Sequence, residues 1–118
     1  MVNSVLDRSV DEILKARFGV DRADIVALCE RFRIVEMGVF GSAVRDDFRE
    51  GGEDPSDVDL LVVFEEGYRR SDLERLELTA MVEELFGRKV DICQKRLLDN
   101  PYRRAKILRS TRVIYAAQ

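Results

Sequence analysis

The stretch DVDLLVVF (57–64) constrains the fold more than any other part of the chain. From Leu60 onward it is apolar at every position, so neither face of the strand it predicts can be left in water. Such a strand belongs inside a sheet, with cover on both sides. Its head has the opposite character. Asp57 and Asp59 stand one valine apart, although strands disfavour Asp and neighbouring carboxylates beside a core repel each other. Alternation along a strand sends both to one face, about 6–7 Å apart at Cα. A cation between them would offset that cost. Ordinary turn chemistry at the start of a strand is the competing explanation.

The rest of the chain supplies partners for this strand. Ser9-Val10-Asp11-Glu12 is a capping-box pattern, and Val10, Ile13, Leu14 and Phe18 fall on one face of the helix that follows. Gly19 stops it. A second helix begins near Asp21, with Ile25, Leu28, Cys29 and Phe32 at helical spacing. IVEMGVF (34–40) reads as a strand ending at Gly41, and residues 46–56 as an acidic loop broken by Gly51-Gly52 and Pro55. Ser71-Asp72-Leu73-Glu74 opens a third helix that buries Leu78, Met81, Val82 and Leu85 and ends at Gly87. RKVDIC (88–93) is a strand containing Asp91. Asn100-Pro101 caps a short fourth helix, and RVIYA (112–116) is a last strand. The order predicts an α/β (α+β) fold, a mixed sheet of about four strands with flanking helices, as one domain over residues 1–118. The helix between the second and third strands is the usual crossover of a parallel pair, which returns Asp91 to the end where Asp57 and Asp59 lie.

Composition narrows the chemistry. The chain has no histidine, which excludes Ser-His-Asp and Cys-His machinery, histidine zinc sites and an imidazole base. Catalysis would have to use carboxylates, metal ions or backbone groups. At 46% hydrophobic and 36% charged, the chain is expected to be a soluble globular protein. No run approaches the roughly 18 apolar residues of a membrane span, and the N-terminus lacks a signal-peptide pattern. Cys29 and Cys93 lie far apart with no CxxC motif and read as free thiols in a reducing cytoplasm. Residues 95–112 hold seven cations against Asp99 alone, a net of +6 that leaves −9 on the remainder of a chain totalling −3. That asymmetry suits an anionic ligand or partner, or a solvated helix face. The segment lacks the regular aromatic interleaving of a base-stacking platform, so nucleic acid is not the expected partner.

Three features bear on an acid-based site. Divalent magnesium prefers hard oxygen ligands and often takes one or two protein carboxylates, leaving room for phosphates and water. Asp57 and Asp59 suit it, with Asp91 as a third carboxylate beside an attacking hydroxyl. An EF-hand loop is not expected, because DPSDVDLLVVFE has Asp59 where the loop requires Gly. Gly41-Ser42 directly follows a strand and precedes a stretch that could start a helix, where backbone N–H groups and the hydroxyl could cradle a phosphate. Arg45 could contact that phosphate or pin the loop. There is no Gly-Lys-Ser/Thr, so this is not a P-loop.

Taken in order, the strand VFGS with Arg45, the strand SDVDLLVVF and the later strand RKVDIC resemble a minimal nucleotidyltransferase of the DNA polymerase β superfamily, over about Ile34 to Tyr115. The resemblance implies that Gly41 and Ser42 hold the triphosphate and that Asp57 and Asp59 bind two magnesium ions. It also implies that Asp91 is the third ligand and the base for the acceptor hydroxyl. Short members of the family resemble antitoxins encoded beside a HEPN-domain toxin, which transfer AMP from ATP to a toxin tyrosine. The implied partners are therefore ATP and a HEPN-type toxin, in the cytoplasm. Two departures stand out: Asp46, followed by Asp47, where the family often has Gly, and a longer interval between Ser42 and Asp57. Both favour an alternative, a non-catalytic antitoxin that neutralises its partner by occlusion.

Overall fold

In the computed structural model, which describes residues 9–45 and 56–117, the 57–64 stretch lies inside a four-stranded sheet. Strand β1 (Ile34–Phe40) is followed by β2 (Val58–Phe64), β3 (Val90–Gln94) and β4 (Arg112–Ala116), in the spatial order β3-β2-β1-β4. β2 runs antiparallel to β1 and parallel to β3, and β1 runs antiparallel to β4. The sheet is therefore mixed. Helices α1 (Val10–Ile13), α2 (Arg22–Arg31), α3 (Asp72–Phe86) and α4 (Pro101–Ser110) flank it, and α3 is the crossover between the parallel strands. None of the helices among the described residues is long and apolar enough to cross a membrane.

Strand alternation splits the sheet into two unlike faces. Val58, Leu60 and Val62 of β2 are all 1% exposed or less and pack into the main core with Ile25, Leu28 and Cys29 of α2 and Leu78, Val82 and Phe86 of α3. Burying side chains of this size stabilises the fold by about 1.5–3 kcal/mol each. The intervening residue Leu61 faces the other way, into a small cluster with Phe40, Leu98 and Ile107 of α4, and Cys93 packs against it. One face thus carries most of the core; the other is roofed chiefly by α4.

The helix ends follow their sequence signals. Ser71 and Glu74 form a full capping box, and the helix ends at Gly87 in the left-handed region. Asn100 Oδ1 accepts from the N–H groups of Tyr102 and Arg103, with Pro101 in the first turn. The first helix departs from expectation. After Val10–Ile13 it widens into a π-helical turn over Leu14–Phe18 before Gly19 closes it. Gly41–Val44, expected as a possible helix start, is a single 3-10 turn. Met81 and Leu85, expected buried, are only partly so, and Phe86 takes the deep position instead. Its ring meets that of Phe18 edge to face, with centroids 5.0 Å apart. The acidic loop expected at 46–56 lies, except for Ser56, outside the described residues.

Phe86 is 2% exposed and bridges α3 to the first helical segment. Phe86→Ala is expected to cost about 3–5 kcal/mol, read as a lower midpoint in urea unfolding with little change in slope.

Candidate active site

The parallel pairing of β2 with β3 brings the acidic residues together. Asp59 pairs in register with Asp91, and Leu61 with Cys93. Partners in register share a face, so both carboxylates lie on the α4 side of the sheet at the N-terminal ends of their strands. Asp57 sits one residue ahead of β2 and is exposed, as is Asp91, while Asp59 is half-buried. The head of β2 is fixed by its neighbours. The Val58 N–H donates to the Lys89 carbonyl at 3.0 Å, and Arg88 Nη1 donates to the carbonyl of buried Ser56 at 3.3 Å.

The electrostatics follow from that placement. Burial raises the Asp59 carboxyl above the usual aspartate range, and the charges of Asp91 and Asp57 raise it further. Arg45 and Arg103 act in the opposite sense. Arg103 belongs to α4 in the basic 95–112 segment, and its charge reaches Asp59. Cys29 stays apart from this chemistry, whereas Cys93 feels the charges of Asp59, Asp91 and Arg103. Burial, with Glu30 adding to it, pushes the Cys29 thiol up to about 12, and burial likewise raises Cys93. Both are free thiols held as packing residues.

The Gly-Ser turn closes on the same carboxylates. Phe40, the last residue of β1, pairs with Asp59, so the chain enters Gly41 beside the acidic group. Gly41 has φ +70°, and a Cβ there would come within 2.5 Å of Asp59 Oδ2. Glycine is required twice over, by backbone conformation and by contact. The turn is pinned from outside by a residue the sequence reading passed over. Arg17, 9% exposed, donates from Nη1 to the carbonyls of Ser42 at 3.3 Å and Ala43 at 3.0 Å. Arg45, expected to contact a phosphate or to pin the loop, has an extended backbone and an exposed side chain, and its charge acts on Asp59. A signal for Arg17 did exist. It falls seven residues after Val10 on the stripe of Ile13 and Leu14, where a charge is out of place unless it has buried partners.

The donor chemistry fits a hard divalent cation. The charges of Asp91 and Asp57 raise the cost of ionising Asp59, and a cation would relieve it. Among the described residues no three acidic or thiol side chains converge tightly enough to enclose a metal by themselves. Phosphate oxygens and water would have to complete any such site, as magnesium commonly accepts.

Residues 25–114 match the nucleotidyltransferase domain family. The chain belongs to that family, as one of its minimal members. It is 46% identical over 71 residues to protein adenylyltransferase MntA of Thermococcus cleftensis, covering 60% of this chain and 66% of that protein. A solved structure provisionally described as a minimal nucleotidyltransferase superposes with a TM-score of 0.60 at 40% identity, covering 86% of this chain and 92% of the other. At 16% identity the likeness is one of fold alone to a chain of the complex between tri-AMPylated Shewanella oneidensis HEPN toxin and MNT antitoxin, with a TM-score of 0.55 and coverage of 82% and 71%.

Two outcomes follow from the geometry. Because folding raises the Asp59 pKa, the fold favours its protonated form, and that contribution is lost as pH rises through the folded value. In EDTA, Asp59→Asn should therefore melt above the parent at pH 7, with the gain vanishing as the pH falls below the ordinary aspartate range. A lower melting temperature for the variant at pH 7 would contradict the carboxylate crowding. Gly41→Ala should cost about 1–2 kcal/mol for the left-handed backbone alone, plus displacement of the Asp59 carboxylate, read by chemical denaturation.

Proposed function

We propose that this protein is a magnesium-dependent protein adenylyltransferase, moving AMP from ATP to a tyrosine hydroxyl of a HEPN-type toxin and so acting as its antitoxin in the cytoplasm. The observation that carries the reading is the registered pair Asp59–Asp91 with Gly41 closed against Asp59. That arrangement sets the Gly41-Ser42 turn beside the Asp59 and Asp91 carboxylates. The identity to a protein adenylyltransferase supports the reaction class, and the fold shared with a toxin–antitoxin complex supports the partner class.

Each residue has a role under this reading. The Gly41 and Ser42 amides and the Ser42 hydroxyl hold the triphosphate, with Arg45 and Arg103 offsetting its charge. Asp57 and Asp59, with Asp91, hold magnesium, which when bound neutralises charge on the phosphates. Asp91, exposed at the start of β3, accepts the proton of the incoming hydroxyl. The acceptor oxygen bonds to the α-phosphorus, the bond to the bridging oxygen breaks, and pyrophosphate leaves. Positioning supplies much of the rate. Under this reading a partner protein presents its own hydroxyl by docking.

Incubation with Mg²⁺, α-labelled ATP and the product of the adjacent gene should transfer label to that product. Asp57→Asn with Asp59→Asn should abolish transfer while leaving the circular dichroism spectrum unchanged. Undiminished labelling by the double variant would remove the carboxylate mechanism. Neutralisation of the toxin by that variant without labelling would select the occluding antitoxin instead.

A further inference from the structure

The other end of β2 carries a second feature, which the reaction does not use. Where the chain leaves the strand and turns towards α3, it borders an open cavity of about 580 Å³. Phe64 and Tyr68 line it together with four arginines, Arg69, Arg70, Arg75 and Arg96. The Arg70 guanidinium lies over the Phe64 ring, 3.8 Å from its centroid, and its Nε is buried with no partner. Arg96 donates from Nε to Gln94 Oε1 at 3.2 Å. None of the four forms an ion pair among the described residues.

The nearby acids do not balance them. Glu65 is paired with Arg33 at 2.6 Å, and Glu74 is engaged by the Tyr68 hydroxyl and by the Ser71 cap. Glu66 is exposed. Burial and the charges of Arg75 and Arg96 depress Arg70 below its ordinary value, the mirror image of the crowding at Asp59. Four guanidiniums around one cavity exceed what a single carboxylate would neutralise. Their forked donors match phosphate oxygens, and the volume lies in the range of small-molecule sites.

We propose that this cavity is a second ligand site, taking a small polyphosphate anion of the pyrophosphate or nucleoside polyphosphate class through Arg69, Arg70, Arg75 and Arg96. It is separate from the carboxylates: Asp59 and Phe64 lie five residues apart on one strand, about 16 Å. The two sites can therefore be filled independently, and this one does not depend on the reaction proposed above.

The test is calorimetric titration of the full chain with inorganic pyrophosphate in EDTA, where metal-dependent binding at the carboxylates is removed. Arg75 and Arg96 are exposed, so Arg75→Gln with Arg96→Gln leaves the core untouched. The parent should bind pyrophosphate, and the double variant should bind it about tenfold more weakly or worse, with an unchanged melting temperature. A parallel titration with ATP separates the sources. Tighter binding of ATP than of pyrophosphate assigns the site to a nucleotide, and equal or weaker binding assigns it to the free polyphosphate. Absence of binding by the parent, or equal affinity in parent and variant, would overturn the proposal.

Discussion

The structure is organised around a repulsion that the sheet makes unavoidable. Parallel pairing of β2 and β3 sets Asp59 beside Asp91, and the half-buried Asp59 carboxylate lies so near Gly41 that a Cβ there would collide with it. The buried residues between them, Val58 and Leu60 on one strand and Val90 on the other, lock that register by facing the core. A shift of one residue would turn every side chain of β2 to the wrong face, exposing three of the best-buried valines and leucines. The core thus enforces the acidic cluster, and a bound cation would repay part of its cost.

The division of labour between the two faces follows. Three helical segments cover the side that carries the main core. The carboxylates, Leu61 and Cys93 belong to the other side, under α4. α4 contributes only Ile107 to the buried set, and its basic residues supply Arg103 to the neighbourhood of Asp59. The charge asymmetry visible in residues 95–112 has a partial structural meaning: one arginine meets the acidic group, and Arg96 turns towards the opposite end of the strand.

Much of the fold was legible in the sequence because it rested on local chemistry. The apolar run after Asp59, the serine and asparagine caps, and the glycine stops located the strands and helices, and the crossover helix implied the parallel pair. Boundaries moved by a residue or two, as at β3, which begins at Val90 instead of Arg88. The candidate site was legible in its members but not in its arrangement. Spacing placed Asp57, Asp59 and Asp91 near one another, yet the degree of burial and the contact of Gly41 with Asp59 depend on how β1 meets β2. The π-helical turn could not be foreseen, since nothing in LKARF distinguishes it from an ordinary helix. The arginine cavity was equally hidden, because it joins residues from the β2–α3 connection to Arg96, beyond β3.

Arg17 gives the opening helical segment a share in the candidate site. It reaches across twenty-five residues of sequence to clasp the Ser42 carbonyl, yet it precedes the stretch over which the family resemblance is recognised, which starts at residue 25. A domain boundary drawn at that starting point would excise the clasp while retaining every residue of the proposed chemistry.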